Sequence, residues 1–217
     1  MARQAQRDRA ARIGGHMTRQ VELLERARLH DGFFKLDEVR FRHELRDGTM
    51  SAEMSRLLFE RGDSVAVLLY DRARDAVLLV EQFRYPAYAR GEEGWLLEVV
   101  AGILEAATPA LQIAHRELLE ETGYRAERLA HLQTFYVSPG ACTERIHLYV
   151  GHLDEGQQVG PGGGLPREHE DIRLIKLTLP EALRMIATGE IRDAKTIIAL
   201  QWLALHKLQG ALQEPPA

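Results

Sequence analysis

Apolar residues fall in short blocks separated by polar breaks. Ser64–Tyr70 and Ala76–Gln82 are Val- and Leu-rich runs on either side of the polar segment Asp71–Asp75. Runs of this length around a turn predict a β-hairpin. Leu96–Val100, Thr134–Val137, Ile146–Val150 and Ile172–Lys176 predict further strands, with Ser138-Pro139-Gly140 breaking the middle pair. Upstream, Phe34–Leu45 alternates imperfectly and ends at Asp47-Gly48, a hairpin pair, before Met50–Phe59 returns. An antiparallel N-terminal sheet is therefore predicted ahead of the main domain.

The period then changes. Leu111, Ala114 and Leu118 recur at helical spacing, after Thr108-Pro109 as N-cap and first turn and before Gly123 as stop. Pro180–Thr188, closed by Gly189, and Ala194–Leu208 predict two more helices. Strands interleaved with helices predict a mixed α/β (α+β) sandwich. Val159–Gly164 reads as a Gly-rich loop, and Trp95 and Trp202 as core. Residues 1–17 are Arg- and Ala-rich without a core pattern and read as a disordered tail or appended segment. The boundaries follow: N-terminal strands over 18–62 and a main domain over 63–210.

Composition narrows the function classes. The chain has 217 residues, 45% hydrophobic and 28% charged, which is enough to bury a core. Its net charge is −4, so no global basic field attracts DNA or RNA. Cys142 is the single cysteine, which excludes an internal disulfide or a multi-cysteine zinc site and fits a reducing, cytoplasmic compartment. No apolar run approaches a membrane span. Gly162-Gly163-Gly164 lacks the Lys-Ser/Thr of a P-loop.

The chemistry concentrates between Gly102 and Tyr124. On a helix, Glu117 and Glu121 are one turn apart, and Glu120 is three residues from Glu117. Like charges at this spacing repel, at a cost of a few tenths of a kcal/mol per pair. Mg²⁺, held by a few carboxylates with phosphates and waters completing its shell, would offset that cost. A solvated acidic helix face would look the same from these residues alone.

The frame around them resembles the Nudix hydrolase signature, Gly-x5-Glu-x7-Arg-Glu-hydrophobic-x-Glu-Glu-x-Gly-hydrophobic. Gly102, Arg116, Glu117, Leu118, Glu120, Glu121, Gly123 and Tyr124 match. The signature's first Glu falls on Thr108. That Glu mainly braces the loop–helix–loop in the family, so its absence implies weaker support and lower metal affinity, with the Thr108 cap as a local substitute. Pro139, fifteen residues after Tyr124, and the segments Gly32–Asp37, Glu81-Gln82-x-Arg84, Trp95–Gly102 and Glu168–Arg173 resemble the bacterial ADP-ribose pyrophosphatases. Ile191-Arg192-Asp193-x-Lys195-Thr196 also resembles the GDP-mannose pyrophosphatases, the close competitor.

The resemblance implies a Nudix α/β/α sandwich behind the N-terminal sheet. It implies Mg²⁺, with Mn²⁺ as a substitute, at two or three ions per site. Glu117, Glu120, Glu121, Glu170 and the carbonyl of Ala101 would be the ligands. Glu168 would be the general base, with Glu170 as the other candidate and Glu120 in the catalytic set. Phe33, Arg56 and Arg84 would hold substrate, the first two reaching a partner's site across a homodimer. The implied reaction is hydrolysis of ADP-ribose to AMP and ribose 5-phosphate, with GDP-mannose or another nucleoside diphosphate sugar as the alternative. A reading from another class, motivated by Thr108, is a nucleotide-binding module that no longer cleaves.

Overall fold

The computed structural model describes residues 19–153 and 155–209. The chain divides into two compact units, Met1–Arg61 with Gly140–Thr143, and Gly62–Pro139 with Glu144–Ala217. The predicted tail over 1–17 lies outside the described residues.

The first unit is a three-stranded antiparallel sheet in the order β1 (Val21–Asp31), β2 (Lys35–His43), β3 (Met54–Glu60). The β2 and β3 strands answer the predicted hairpin. The β1 strand has no counterpart in the sequence reading, because charged residues punctuate it and nearly every side chain is exposed. Two register shifts interrupt its pairing with β2. Asp37 on β2 is buried beneath Arg26 and Arg28, both hydrogen-bonded to it, and these hold its carboxyl below the usual range. Cys142 is half-buried and outside the regular strands, bridged to Phe59.

The second unit is built on a seven-stranded mixed sheet. Its backbone order is β10 (Arg173–Thr178), β5 (Ala76–Phe83), β4 (Ser64–Asp71), β9 (Arg145–His152), β8 (Leu129–Tyr136). Only β4 and β9 run parallel. Every residue of β4 is buried because the sheet is covered on both faces. Val65, Val67 and Leu69 point to one core with Ile113, Ala114 and Leu118 of the helix Ala110–Thr122. Ala66, Leu68 and Tyr70 point to the other core, with Leu179 and Ala182 of Leu179–Thr188 and Ala199, Leu200 and Leu203 of Ala194–Leu208. This is an α/β/α sandwich. With the one-turn helix Tyr85–Tyr88 as α1, the three long helices are α2, α3 and α4 in chain order.

Three local expectations change. The predicted strand Leu96–Val100 is two strands, β6 (Trp95–Glu98) and β7 (Val100–Ile103). The β4–β5 ladder covers only Leu69–Asp71 and Ala76–Leu78, and beyond it the two strands diverge. The chain enters that gap, pairs with β5 through β6, crosses at Val99 and pairs with β4 through β7. Leu111 is 44% exposed, and Ile113 takes its place in the core stripe. Trp95 is also 44% exposed rather than core, packing edge-on against Phe83, while Trp202 is partly buried and stacks on His206.

Candidate active site

The helix α2 begins without a side-chain cap. Pro109 occupies the cap position, and its carbonyl accepts from the backbone N–H groups of Gln112 and Ile113. Thr108 therefore does not cap the helix, contrary to the sequence expectation. Gly123 ends α2 in the left-handed conformation, as predicted. The apolar edge of α2 is fixed on β4 and β7 by Ile113, Ala114 and Leu118, which leaves Glu117 beside the β7 backbone at Gly102. A Cβ on Gly102 would overlap Cγ and Cδ of Glu117. A side chain at the signature glycine would therefore displace the Glu117 carboxylate, while the glycine's own backbone angles are ordinary.

The acids differ in state. Glu121 is 2% exposed, and its Oε2 is fully buried without a hydrogen-bond partner. Burial, then repulsion from Glu170 and Glu117, raises its carboxyl well above the usual range. Glu117 is raised too, first by burial and then by Glu120 and Glu170, against the pull of Arg116. Glu120 is half-buried at the helix margin, 3.9 Å from Arg116. Glu170 Oε2 accepts from the Leu165 N–H at 2.9 Å. The side chain of Glu168 lies outside what the structure describes.

Arg116 organises the entry to α2. Its Nη2 lies 2.8 Å from Glu105 Oε1 and donates to Glu117 Oε1 at 3.0 Å. Glu105, to which the sequence reading gave no role, thus supplies a carboxylate to the box arginine where Thr108 supplies none.

Arg84 stands outside α2 and is committed elsewhere. It donates from Nε and Nη2 to the two oxygens of Glu98, at 2.8 and 2.9 Å. Glu98 is 2% exposed and also accepts from Lys195 Nζ at 2.5 Å. Burial alone would raise this carboxyl, but Arg84 and Lys195 overcome it and bring it down to about 2. Asp193 caps α4 through Thr196, and Thr196 Oγ1 accepts the Val99 N–H at the β6–β7 crossing. The Asp193-x-Lys195-Thr196 segment, visible as a resemblance only, is therefore the anchor of Glu98 and of the strand crossing.

Phe33 and Arg56 belong to the first unit. Phe33 is 82% exposed, which removes core packing within the chain as its explanation, and meets Phe34 edge-on. Arg56 is exposed and donates to the Ser55 carbonyl.

A hard divalent cation fits this donor set. The acids here are carboxylates, the donor type such a cation takes, and one carboxylate oxygen is buried with no proton donor to satisfy it. Among the described residues no three His, Cys, Asp or Glu side chains already stand in metal-holding geometry. Arg116 engages one oxygen of Glu117 and the Leu165 N–H one oxygen of Glu170, so each carboxylate keeps a second oxygen for a cation.

A mixed sandwich with this box helix against its sheet defines a class, and the chain belongs to it: residues 60–200 match the NUDIX domain, and the protein is a Nudix hydrolase. Enzymes of this family use divalent metal ions. The ADP-ribose pyrophosphatase of Escherichia coli (strain K12) is 42% identical over 186 residues, 86% of this chain and 88% of that protein. The GDP-mannose pyrophosphatase of Shigella flexneri is 36% identical over 193 residues, 88% of this chain and 99% of that one. A solved structure described as an ADP compounds hydrolase superposes with a TM-score of 0.67, covering 91% of this chain and all of that one, at 18% identity. That likeness concerns the fold.

Proposed function

We propose that this enzyme hydrolyses the diphosphate of ADP-ribose to AMP and ribose 5-phosphate, using Mg²⁺ or Mn²⁺. The observation that carries the chemistry is the unpartnered, fully buried Oε2 of Glu121 among like charges. The choice of sugar rests on the 42% identity to an ADP-ribose pyrophosphatase, against 36% for the GDP-mannose enzyme. Glu117, Glu120, Glu121, Glu170 and the Ala101 carbonyl would hold the cations, two or three per site. Cations held there would acidify a water and neutralise charge on the diphosphate. Glu168 would take the proton from the attacking water, with Glu170 as the second candidate. Arg84, with Nη1 free of hydrogen bonds to Glu98, would present a fixed guanidinium to a phosphate.

The first unit would complete the site in a homodimer. Val21, Leu23, Leu29 and Phe33 are apolar and exposed there, as expected of a surface met by a second copy. Phe33 would stack on the adenine and Arg56 would bind the diphosphate of the neighbour's substrate. We place the enzyme in the cytoplasm, consistent with its single cysteine. Among the described residues no helix is long and apolar enough to cross a membrane.

The test is a comparison of kcat/KM for ADP-ribose, GDP-mannose, ADP-glucose and NADH with Mg²⁺. ADP-ribose is expected to lead. A tenfold advantage for GDP-mannose overturns the substrate, and tight binding without turnover of any of them overturns the hydrolytic reading.

A further inference from the structure

The Gly-rich segment Val159–Gly164 lies against the C-terminal end of α2. The last carbonyls of a helix have no partner within it. Here the Gly163 N–H donates to the Glu121 carbonyl at 2.8 Å and the Gly164 N–H to the Glu120 carbonyl at 3.2 Å. Val159 N–H reaches the Gly123 carbonyl at 2.8 Å. The same segment then turns toward the remaining acid: Leu165 N–H donates to Glu170 Oε2, and the Ile172 N–H returns to the Gly163 carbonyl.

Side chains are excluded at two of these positions for different reasons. A Cβ on Gly162 would sit 2.5 Å from the Thr122 carbonyl carbon and 2.7 Å from the Glu121 carbonyl oxygen, both backbone. A Cβ on Gly164 would sit 2.6 Å from both Cβ and Oε2 of Glu170. Gly163 differs, since its Cβ would meet nothing nearer than the Ile172 carbonyl at 3.8 Å, although φ is +99°.

We propose that Gly162–Gly164 is a positioning strap that sets the spacing between the α2 carboxylates and Glu170, and so the geometry in which the three take a divalent cation. It rests on the reading of Glu117, Glu121 and Glu170 as ligands. The strap makes backbone bonds to the helix that carries Glu117 and Glu121, and its continuation holds Glu170 by one oxygen. The register between the two acid sources is therefore set by backbone rather than by flexible side chains. All three glycines have positive φ, and at Gly162 and Gly164 close contact excludes a side chain as well.

That division gives the test. Mn²⁺ affinity is measured by calorimetry on the substrate-free chain, with Tm in EDTA and with kcat and KM for ADP-ribose. Gly164→Ala should weaken Mn²⁺ binding at least tenfold and lower kcat with KM little changed. Gly163→Ala, which strains the backbone without touching Glu170, should lower Tm yet keep Mn²⁺ affinity within threefold. In a Glu170→Gln background Gly164→Ala should cost no further Mn²⁺ affinity, because both act through one carboxylate. If Gly164→Ala does not fold, Leu165→Pro removes the N–H that holds Glu170 and should weaken Mn²⁺ in the same way. Wild-type binding with undiminished Gly164→Ala and Leu165→Pro binding overturns the strap alone, as does equal loss in Gly163→Ala and Gly164→Ala. A wild-type chain that binds no Mn²⁺ overturns the ligand reading and the strap with it.

Discussion

Glu98 and Glu121 are buried to the same degree, each 2% exposed, in the same unit, one on a strand of the main sheet and the other on a helix packed against it. Burial alone would raise both carboxyls. At Glu98 the two oxygens receive Arg84 in fork geometry and Lys195 in addition, and the acid stays ionised. At Glu121 one oxygen receives nothing, and the nearest strong influences after burial are two more carboxylates. Arg84 acts on both groups, but it bonds only to Glu98. A buried charge with its partners supplied from within the chain is structure. A buried charge with none is chemistry that something from outside must complete.

Removing each charge should separate the two roles, and the largest effect is expected at Glu121. Glu121→Gln keeps the volume and deletes the charge, so kcat for ADP-ribose should fall at least about 10²–10³-fold, the scale of losing one electrostatic group in a dry site. Thermal unfolding in EDTA at neutral pH should move the other way, with Tm unchanged or higher, because an uncompensated buried charge has gone. A large loss of Tm together with activity would put Glu121 in the same class as Glu98. Glu98→Gln should behave oppositely. It leaves Arg84 and Lys195 beside an uncharged amide and should cost about 3 kcal/mol in urea unfolding, the usual scale for breaking a buried pair. KM should rise as Arg84 loses its fixed orientation.

That contrast was only partly legible in the residues. The β4–β5 hairpin and the box helix were readable because a continuous apolar run and a helical spacing end at polar turns and Gly, although the helix buries Ile113 rather than Leu111. Glu98 sits inside an apolar run, and its second cation is Lys195, 97 residues away, a pairing no local pattern carries. The crossing at Val99 was hidden for the same reason, since its N–H is met by Thr196 from α4. The β1 strand was hidden by exposure, because a strand that buries almost nothing within its own chain shows no period. At Thr108 a correct local rule met a helix that starts two residues later, at Ala110.

A smaller effect should appear as a pH slope. Glu121 and Glu117 have folded-state values raised above the ordinary carboxylate range. Their contribution to stability is complete below the unfolded value, about 4.3, and is lost as pH rises through the raised values. Glu98, lowered to about 2, contributes in the opposite sense: its stabilisation is present above the unfolded value and is lost only as pH falls toward 2. In EDTA, Tm should therefore decline as pH rises above the ordinary carboxylate range. Saturating Mg²⁺ should flatten that slope, and Glu121→Gln should remove most of it while Glu98→Gln leaves it in place. A slope indifferent to both Mg²⁺ and Glu121→Gln would remove the unpaired acid from the account.

The smallest effect tests the one departure from the box. Arg116 spans Glu105 and Glu117, but Arg116 and Glu105 are both substantially exposed, so the Glu105 pair contributes below about 1 kcal/mol to stability. Its role is orientational: Arg116 holds Glu117 Oε1, and Glu117 is the side chain pressed on Gly102. Glu105→Gln should therefore leave Tm within about two degrees while lowering kcat by about two- to fivefold, a range set by the worth of one weak pair. Thr108→Glu, which restores the family's residue, should change kcat by less than about threefold, because Arg116 already has its carboxylate from Glu105. In a Glu105→Gln background the same substitution should recover most of the lost rate. A gain above tenfold from Thr108→Glu in the otherwise unaltered chain would mean that Glu105 does not stand in for the missing glutamate, and that α2 lacks a brace which only position 108 can provide.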